Sequence, residues 1–235
     1  VIISTCCHSV IKLVQKYYVD CIPYLAPVIS PMHAHANLIK EQDPDAVVVF
    51  ISPCISKKDE VDQYCKSGGV DCTITFDELH NWLEEEGIEI DRSLEDEERS
   101  RCRFFPEPGG ILKSMAKRPD YHYITVDGVE NCRRALEEIR DGKLQGYFIE
   151  MSACHGSCIN GPAMPKDVRG MVEAQAYVDD AADLVRDYDV SHDITMGKAV
   201  KSELNPRMMS GEATIAEILA RIGKTKPEDM LNCGA

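Results

Sequence analysis

Gly146-Tyr147-Phe148-Ile149-Glu150-Met151-Ser152-Ala153-Cys154-His155-Gly156-Ser157-Cys158-Ile159-Asn160-Gly161 runs from an apolar strand straight into a loop that holds two thiols. The strand over Gly146 to Glu150 is short and apolar, and the loop begins where it ends. Two cysteines four positions apart, with Gly156 between them and Gly161 just beyond, can turn both sulfurs towards one point. The glycines let backbone amides approach without side-chain obstruction, and thiolates hold soft metals and iron-sulfur clusters. A lone CxxxC is also what two packing cysteines look like. The reading therefore depends on what the other strands deliver.

Upstream of this loop, Tyr121 to Val126 reads as a strand and Val129 to Asp141 as a helix closed by Gly142, so the loop ends an α/β unit. At the chain start, Val1 to Thr5 reads as a buried strand that stops at Cys6-Cys7, and Val10, Ile11, Val14 and Tyr18 follow at helical spacing. A cysteine pair between strand and helix sits where ligands collect in open α/β sheets. Asp45 to Ile51 predicts a strand apolar on both faces, as in a covered parallel sheet, and it ends at Ser52-Pro53-Cys54-Ile55-Ser56-Lys57-Lys58-Asp59-Glu60. Two strands then bring thiols to one edge. Between them, Ser30-Pro31 opens a helix to about Lys40 whose His33 and His35, two apart, do not share a face.

Thr73 to Phe76 is expected as a short strand and Asp77 to Gly87 as a helix. Glu89 to Arg103 is dense in charge and reads as a solvated connector. Pro106-Glu107-Pro108-Gly109-Gly110 is a turn opening a short helix with Ile111, Leu112 and Met115. Helices are expected over Asp167 to Asp187 and Thr214 to Ile222. Alternating strands and helices predict an α/β fold with parallel strands flanked by helices on both faces, one continuous sheet being the alternative arrangement.

The formal charge of -14 speaks against nucleic acid or an anionic membrane surface as partner. No apolar run is long enough to span a bilayer, and nothing at the start reads as a signal peptide. Eleven cysteines beside Gly, Pro and Lys, in a chain with ample helix and strand patterning, point to metal-bound thiols in a reducing cytoplasm rather than a disulfide framework. Cys21, Cys65, Cys72, Cys102 and Cys132 lie outside the loops and read as packing or surface thiols.

The three loops, Thr5-Cys6-Cys7, Pro53 to Glu60 and Glu150 to Gly161, resemble in order and internal spacing the three signature motifs of the iron-only (FeFe) hydrogenases, over residues 1 to about 165. The resemblance implies two lobes with a cluster between them: a domain over 1–205, divided into about 1–95 and 96–205 with its N-terminal part missing, then a helical segment over 206–235. It implies a 4Fe-4S cubane held by Cys7, Cys54, Cys154 and Cys158, with Cys158 bridging to a di-iron subcluster that carries CO, CN and a bridging dithiolate, together the H-cluster. Cys6 matches the thiol that passes a proton to the bridging amine, Lys57 the lysine that holds a cyanide, and Glu60 a carboxylate on the proton path. The implied reaction interconverts dihydrogen with two protons and two electrons. The implied partners are a redox partner such as ferredoxin or an adjoining iron-sulfur domain.

The chain departs from the family pattern in places that bear on turnover. His8-Ser9-Val10 follows the cysteine pair where the family has proline, then a small residue, then tryptophan. Ser52 and Ser152 replace two methionines, Ala26 aligns with a proton-path serine, and the third motif ends Gly161-Pro162-Ala163-Met164-Pro165. Such changes resemble the sensory branch of the family, which places further iron-sulfur and signalling domains downstream, and Leu231 to Ala235 resembles the start of such a cluster motif. Two other readings stand beside this one: a non-catalytic iron-sulfur protein holding only a cubane and acting through partners, and a structural zinc protein. Zinc is disfavoured because structural sites seldom draw four ligands from three distant loops.

Overall fold

The computed structural model describes residues 1–64, 69–89, 91, 99–164, 171–182 and 196–203. Val1–Ser202 form one compact unit. The expected helix over Thr214 to Ile222, with Cys65 and Cys233, lies outside the described residues.

Strands β1 (Ile2–Ile3), β2 (Val49–Ser52), β3 (Cys72–Thr75), β4 (His122–Asp127) and β5 (Tyr147–Ser152) alternate with helices α1 (His8–Tyr17), α2 (Pro31–Gln42), α3 (Ser56–Tyr64), α4 (Phe76–Glu85), α5 (Gly110–Ser114), α6 (Val129–Arg140) and α7 (Met171–Ala181). Among the described residues these strands pair in parallel, so the fold is α/β as the alternation predicts. The strands form two sheets, one ordered β1-β5-β4 and the other β2-β3, not one continuous sheet. β1, from the chain start, pairs with β5, with Ile3 opposite Ile149. β1 and β2 do not share an edge, since they lie in different sheets. The thiols they carry approach through the loops instead.

The larger sheet is locked by one apolar cluster. Ile3, Ile149 and Met151 from the strands meet Val10 and Val14 of α1 and Cys132, Leu136 and Ile139 of α6. The α6 residues stand at i, i+4 and i+7, one stripe of a helix whose other faces are charged. Leu136 is fully buried at the centre of this contact. Leu136→Ala is expected to cost about 2–5 kcal/mol, read as a lowered midpoint in denaturant with an unchanged slope. A variant as stable as the wild type would mean that α6 does not carry the sheet.

Among the described residues, the smaller sheet has apolar packing on one face. Val48 and Phe50 pack with Met32 and Ala36 of α2, Val61 of α3 and Val70, whereas Val47, Val49 and Ile51 are exposed. The expectation of a strand covered on both faces is therefore corrected, because side chains alternate across a strand and the described residues supply packing to one side. Thr75 ends β3 and caps α4 through a reciprocal bond pair with Glu78, at 3.2 and 2.8 Å. In the expected helix from Asp167 to Asp187, Met171–Ala181 is helical and 165–170 and 183–187 lie outside the described residues.

Candidate functional site

Parallel strands send their C-terminal ends to one edge of a sheet. At that edge β1 delivers Cys6 and Cys7, β4 delivers Asp127, and β5 delivers the loop with Cys154 and Cys158. Cys7 is the N-cap of α1, at the positive end of a helix dipole, where negative charge is favoured. Its sulfur accepts a hydrogen bond from the Ala153 amide at 3.5 Å, which ties the first loop to the third.

The second loop comes from the other sheet and is pinned to the third through backbone. Pro53 O accepts the Ala163 amide at 3.1 Å. A Cβ built on Gly161 would lie 2.6 Å from the same Pro53 oxygen and 3.1 Å from Cys158 O, so only glycine allows this approach. Gly161→Ala is expected to push the two loops apart at a cost of about 1–3 kcal/mol and to lower the iron retained per chain. Thermal unfolding and iron analysis check this; an unchanged midpoint and iron content would contradict the packing described.

Asp127 organises the third loop. Its Oδ2 accepts the Gly156 amide at 2.6 Å and lies 2.9 Å from His155 Nδ1. Gly156 has φ +81°, a left-handed conformation that suits the turn between the two cysteines. The Ser157 amide reaches Cys154 O at 3.1 Å and the Gly161 amide reaches Cys158 O at 3.0 Å, closing the loop around both thiols. Sequence reasoning gives Asp127 no role. The signal that marks it is a carboxylate at the C-terminal end of a parallel strand.

The candidate ligands feel one another. Burial pushes the Cys158 thiol up to about 12, and Cys7, Cys54 and Cys154 each add to the rise. Cys54 is raised too, by burial first and by Cys7 among the further causes. Cys158 nevertheless keeps exposed surface. Among the described residues, no three His, Cys, Asp or Glu side chains converge on a site for a single metal ion. Four cysteines are the number of protein ligands that a 4Fe-4S cluster takes.

Cys6, beside the ligands, is pushed to about 12, by burial first, with Lys57 opposing and Glu150, Cys7 and Glu60 reinforcing. It is therefore a protonated thiol at neutral pH. Lys57 Nζ donates to Cys6 O at 3.0 Å and to Glu60 Oε2 at 2.6 Å. An ammonium has three protons, so these two bonds leave one for a further acceptor. Burial works to raise the Glu60 carboxyl, but Lys57 outweighs it by charge and hydrogen bond and holds the group below its ordinary value. Glu150, fully buried, accepts the amides of Gly109 and Leu112 at 2.9 and 3.0 Å, fixing the start of α5 against β5.

The replaced positions have their own uses. The Ser52 hydroxyl accepts the Cys54 amide at 3.3 Å, so it shapes the second loop from within. Ala26 offers only backbone, its carbonyl accepting the Thr5 hydroxyl at 3.1 Å. His8 is buried and holds Asp59 at 2.7 Å through Nε2. Of the cysteines outside the loops, Cys21 and Cys132 are buried and Cys72 and Cys102 exposed. His33 is buried and His35 exposed, on different faces of α2 as their spacing predicts.

A cavity of about 400 Å³ lies outside the third loop, lined by Asp127, His155, Ile159 and Val172 among others. No helix of the described residues is long and apolar enough to cross a membrane.

Comparison with known proteins agrees with this geometry. The family model for the C-terminal domain of the iron only hydrogenase large subunit matches residues 1–120 and 113–162. The periplasmic Fe hydrogenase large subunit of Nitratidesulfovibrio vulgaris is 26% identical over 226 residues, covering 73% of this chain and 53% of that protein. Iron hydrogenase 1 of Clostridium pasteurianum is 25% identical over 215 residues, covering 69% and 37%. The cytosolic iron-sulfur assembly component 3 of Rattus norvegicus is 22% identical over 218 residues, covering 68% and 46%. The chain thus spans about half, or less, of the length of these curated relatives. Among solved structures, an FeFe-hydrogenase from Chlamydomonas reinhardtii shares the fold with a TM-score of 0.57 at 18% identity, over 93% of this chain and 71% of that one. With the family model spanning all three cysteine loops, the chain belongs to the family formed by the C-terminal domain of the iron-only hydrogenase large subunit.

Proposed function

We propose that Cys7, Cys54, Cys154 and Cys158 hold a 4Fe-4S cubane, that Cys158 links it to a di-iron subcluster, and that the domain interconverts dihydrogen with protons and electrons. The observation that carries this reading is that the three cysteine loops are tied together, the first to the third by the Ala153 amide on Cys7 Sγ at 3.5 Å and the second to the third by the Ala163 amide on Pro53 O at 3.1 Å. The bound cofactor would supply the iron chemistry and the electrons; the protein supplies ligation, proton handling and a walled cavity. Cys6 holds a proton beside the candidate ligands, and the Lys57 ammonium ties the Cys6 backbone to the Glu60 carboxylate. Lys57 keeps one donor to offer a cyanide ligand, which suits a compact ammonium facing an anionic nitrogen. The redox partner would be a ferredoxin or an adjoining iron-sulfur domain, in a reducing cytoplasm that keeps the thiols free.

The proposed cluster domain runs over 1–205, with 206–235 leading towards a further iron-sulfur or signalling module. Ser52, Ser152 and Ala26, small groups at positions where the family carries soft or relaying side chains, favour slow turnover and a hydrogen-sensing role. Infrared spectra of the chain matured with its di-iron cofactor are expected to show metal-bound carbon monoxide and cyanide bands. Their absence in a chain that retains its cubane would overturn the catalytic reading.

The same three residues support a second reading, a cubane-only protein that acts through partners; one relative is named as an iron-sulfur assembly component. Dihydrogen uptake by the matured chain, above that of a Cys6→Ala variant, would eliminate it.

A further inference from the structure

Around Glu60 lies a set of buried polar groups that the proposed cluster chemistry does not use. His33 of α2, Glu60 of α3 and Ser30 are almost wholly buried, and so is Lys198. Lys198 arrives from far along the chain. Its stretch is stapled on by the Ile29 amide to Met196 O at 2.8 Å, the Lys198 amide to Pro27 O at 2.9 Å, and Gln15 Nε2 to Lys201 O at 2.8 Å.

Among the described residues, Glu60 Oε1, both ring nitrogens of His33, His8 Nδ1, Ser30 Oγ and Lys198 Nζ have no hydrogen-bond partner. The two histidines approach the Glu60 carboxylate at distances just beyond a direct bond. His33 Nε2 is 3.9 Å from Glu60 Oε1, and His8 Nδ1 is 4.0 Å from Glu60 Oε2. The Ser30 hydroxyl lies beside Glu60 and helps to hold its carboxyl low, though without strict hydrogen-bond geometry. The Lys198 ammonium sits 4.2 Å over the Tyr64 ring, against whose edge His33 also packs at 5.7 Å. Buried polar atoms are costly to leave unpaired, so a cluster of them points to an occupant.

The donor and acceptor inventory identifies that occupant. His8 Nε2 faces a carboxylate, so it donates, and in the neutral ring Nδ1 accepts. Glu60 Oε1 accepts, Lys198 donates, and neutral His33 and Ser30 each do both. An anion would satisfy only the donors and a cation only the acceptors. Water does both, and polar groups just beyond hydrogen-bond reach are where bridging waters sit.

We infer that Glu60, His33, Ser30 and Lys198 enclose a buried, water-bridged chamber in which Glu60, His33 and Lys198 titrate as one coupled set, with Lys198 as its cationic end. Lys198 and Glu60 carry opposite charges, so a proton exchanged between them through water leaves the net charge of the chamber unchanged. The chamber touches the cysteine loops through the Glu60 to Lys57 bond and the Lys57 to Cys6 carbonyl bond. Its use as a proton supply to Cys6 rests on the hydrogenase reading. The coupling itself does not.

The groups facing His33 are Glu60 and Lys57 from α3, Lys198 from its own stretch and His8 from α1, with the Tyr64 ring against its edge. Burial is the main cause holding His33 below the ordinary histidine value; Glu60 acts upward, and Lys57, Lys198 and His8 act downward. The test is a proton and nitrogen NMR titration of the His33 ring in the full chain, compared with Lys198→Met and Glu60→Gln. Lys198→Met is expected to raise the His33 pKa and Glu60→Gln to lower it. Lys198→Met removes a buried charge and so keeps the test open if Glu60→Gln does not fold. A crystal structure at a resolution that shows waters is expected to place them against both His33 nitrogens. An unmoved His33 pKa in a folded Lys198→Met variant, or a dry chamber, would overturn the inference. Opposite shifts in a chain that takes up no dihydrogen would support the chamber and count against the hydrogenase reading instead.

Discussion

Replacing Cys158 with alanine is expected to strip the chain of most of its iron and sulfide. A cubane takes about four protein thiolates, and Cys158 is the position at which the other three candidate ligands are felt together. The same substitution removes the sulfur proposed to join the cubane to the di-iron subcluster, so carbon monoxide and cyanide bands should vanish along with the iron. Two controls separate ligation from folding. Cys132→Ala deletes a fully buried thiol that packs under β5, its sulfur 3.4 Å from Ser152 O, and is expected to lower stability while iron per folded chain stays at the wild-type level. Cys102→Ala alters an exposed thiol and is expected to change neither. Wild-type iron in Cys158→Ala, measured per folded chain, would remove Cys158 from the site.

Replacing Cys6 with alanine is expected to leave iron and sulfide intact and to lower dihydrogen turnover about 10²- to 10⁴-fold, the range that a positioned acid-base group contributes. The direction follows from the thiol's surroundings. Burial keeps Cys6 protonated, and Lys57, which opposes that rise, is the group that binds both its backbone carbonyl and Glu60. A residue with only a packing role would instead lose iron or stability. Gas exchange assays set beside iron analysis distinguish the two, and equal turnover in wild type and variant would exclude Cys6 from the proton path.

Much of this was legible from the residues alone because strands and loops carry local signals. The CxxxC loop after Tyr147–Ser152, the cysteine pair before His8–Tyr17 and Cys54 before Ser56–Tyr64 all sit where strand or helix patterning changes. The stripe of Cys132, Leu136 and Ile139 announces the buried face of α6. What sequence order hid was pairing across distance. β1 joins β5 rather than β2, although β2 is the next strand along the chain, because a parallel pair needs a crossover and the order of crossovers leaves no local mark. The open face of β2 was hidden too, since an apolar residue reads the same whether or not a layer covers it.

The polar partners were hidden for a similar reason. Asp127 lies 28 positions from His155, to which it is bonded, and no short-range pattern links them. His33 is one of two histidines on α2 whose spacing said only that they part company. Its neighbour Glu60 is 27 positions away by number and Lys198 farther still, so their meeting follows from the packing of α2, α3 and the stretch around residue 198.

The central claim is that the thiols at positions 7, 54, 154 and 158 bind one iron-sulfur cube. Mössbauer spectroscopy of anaerobically prepared full chain, loaded with enriched iron and paired with sulfide analysis, tests it most directly. The account predicts about four irons and four sulfides per chain in a single thiolate-ligated cluster, before any di-iron unit is added. A lone thiolate-bound ion without sulfide, or iron that binds equally well when those cysteines are replaced, would contradict it.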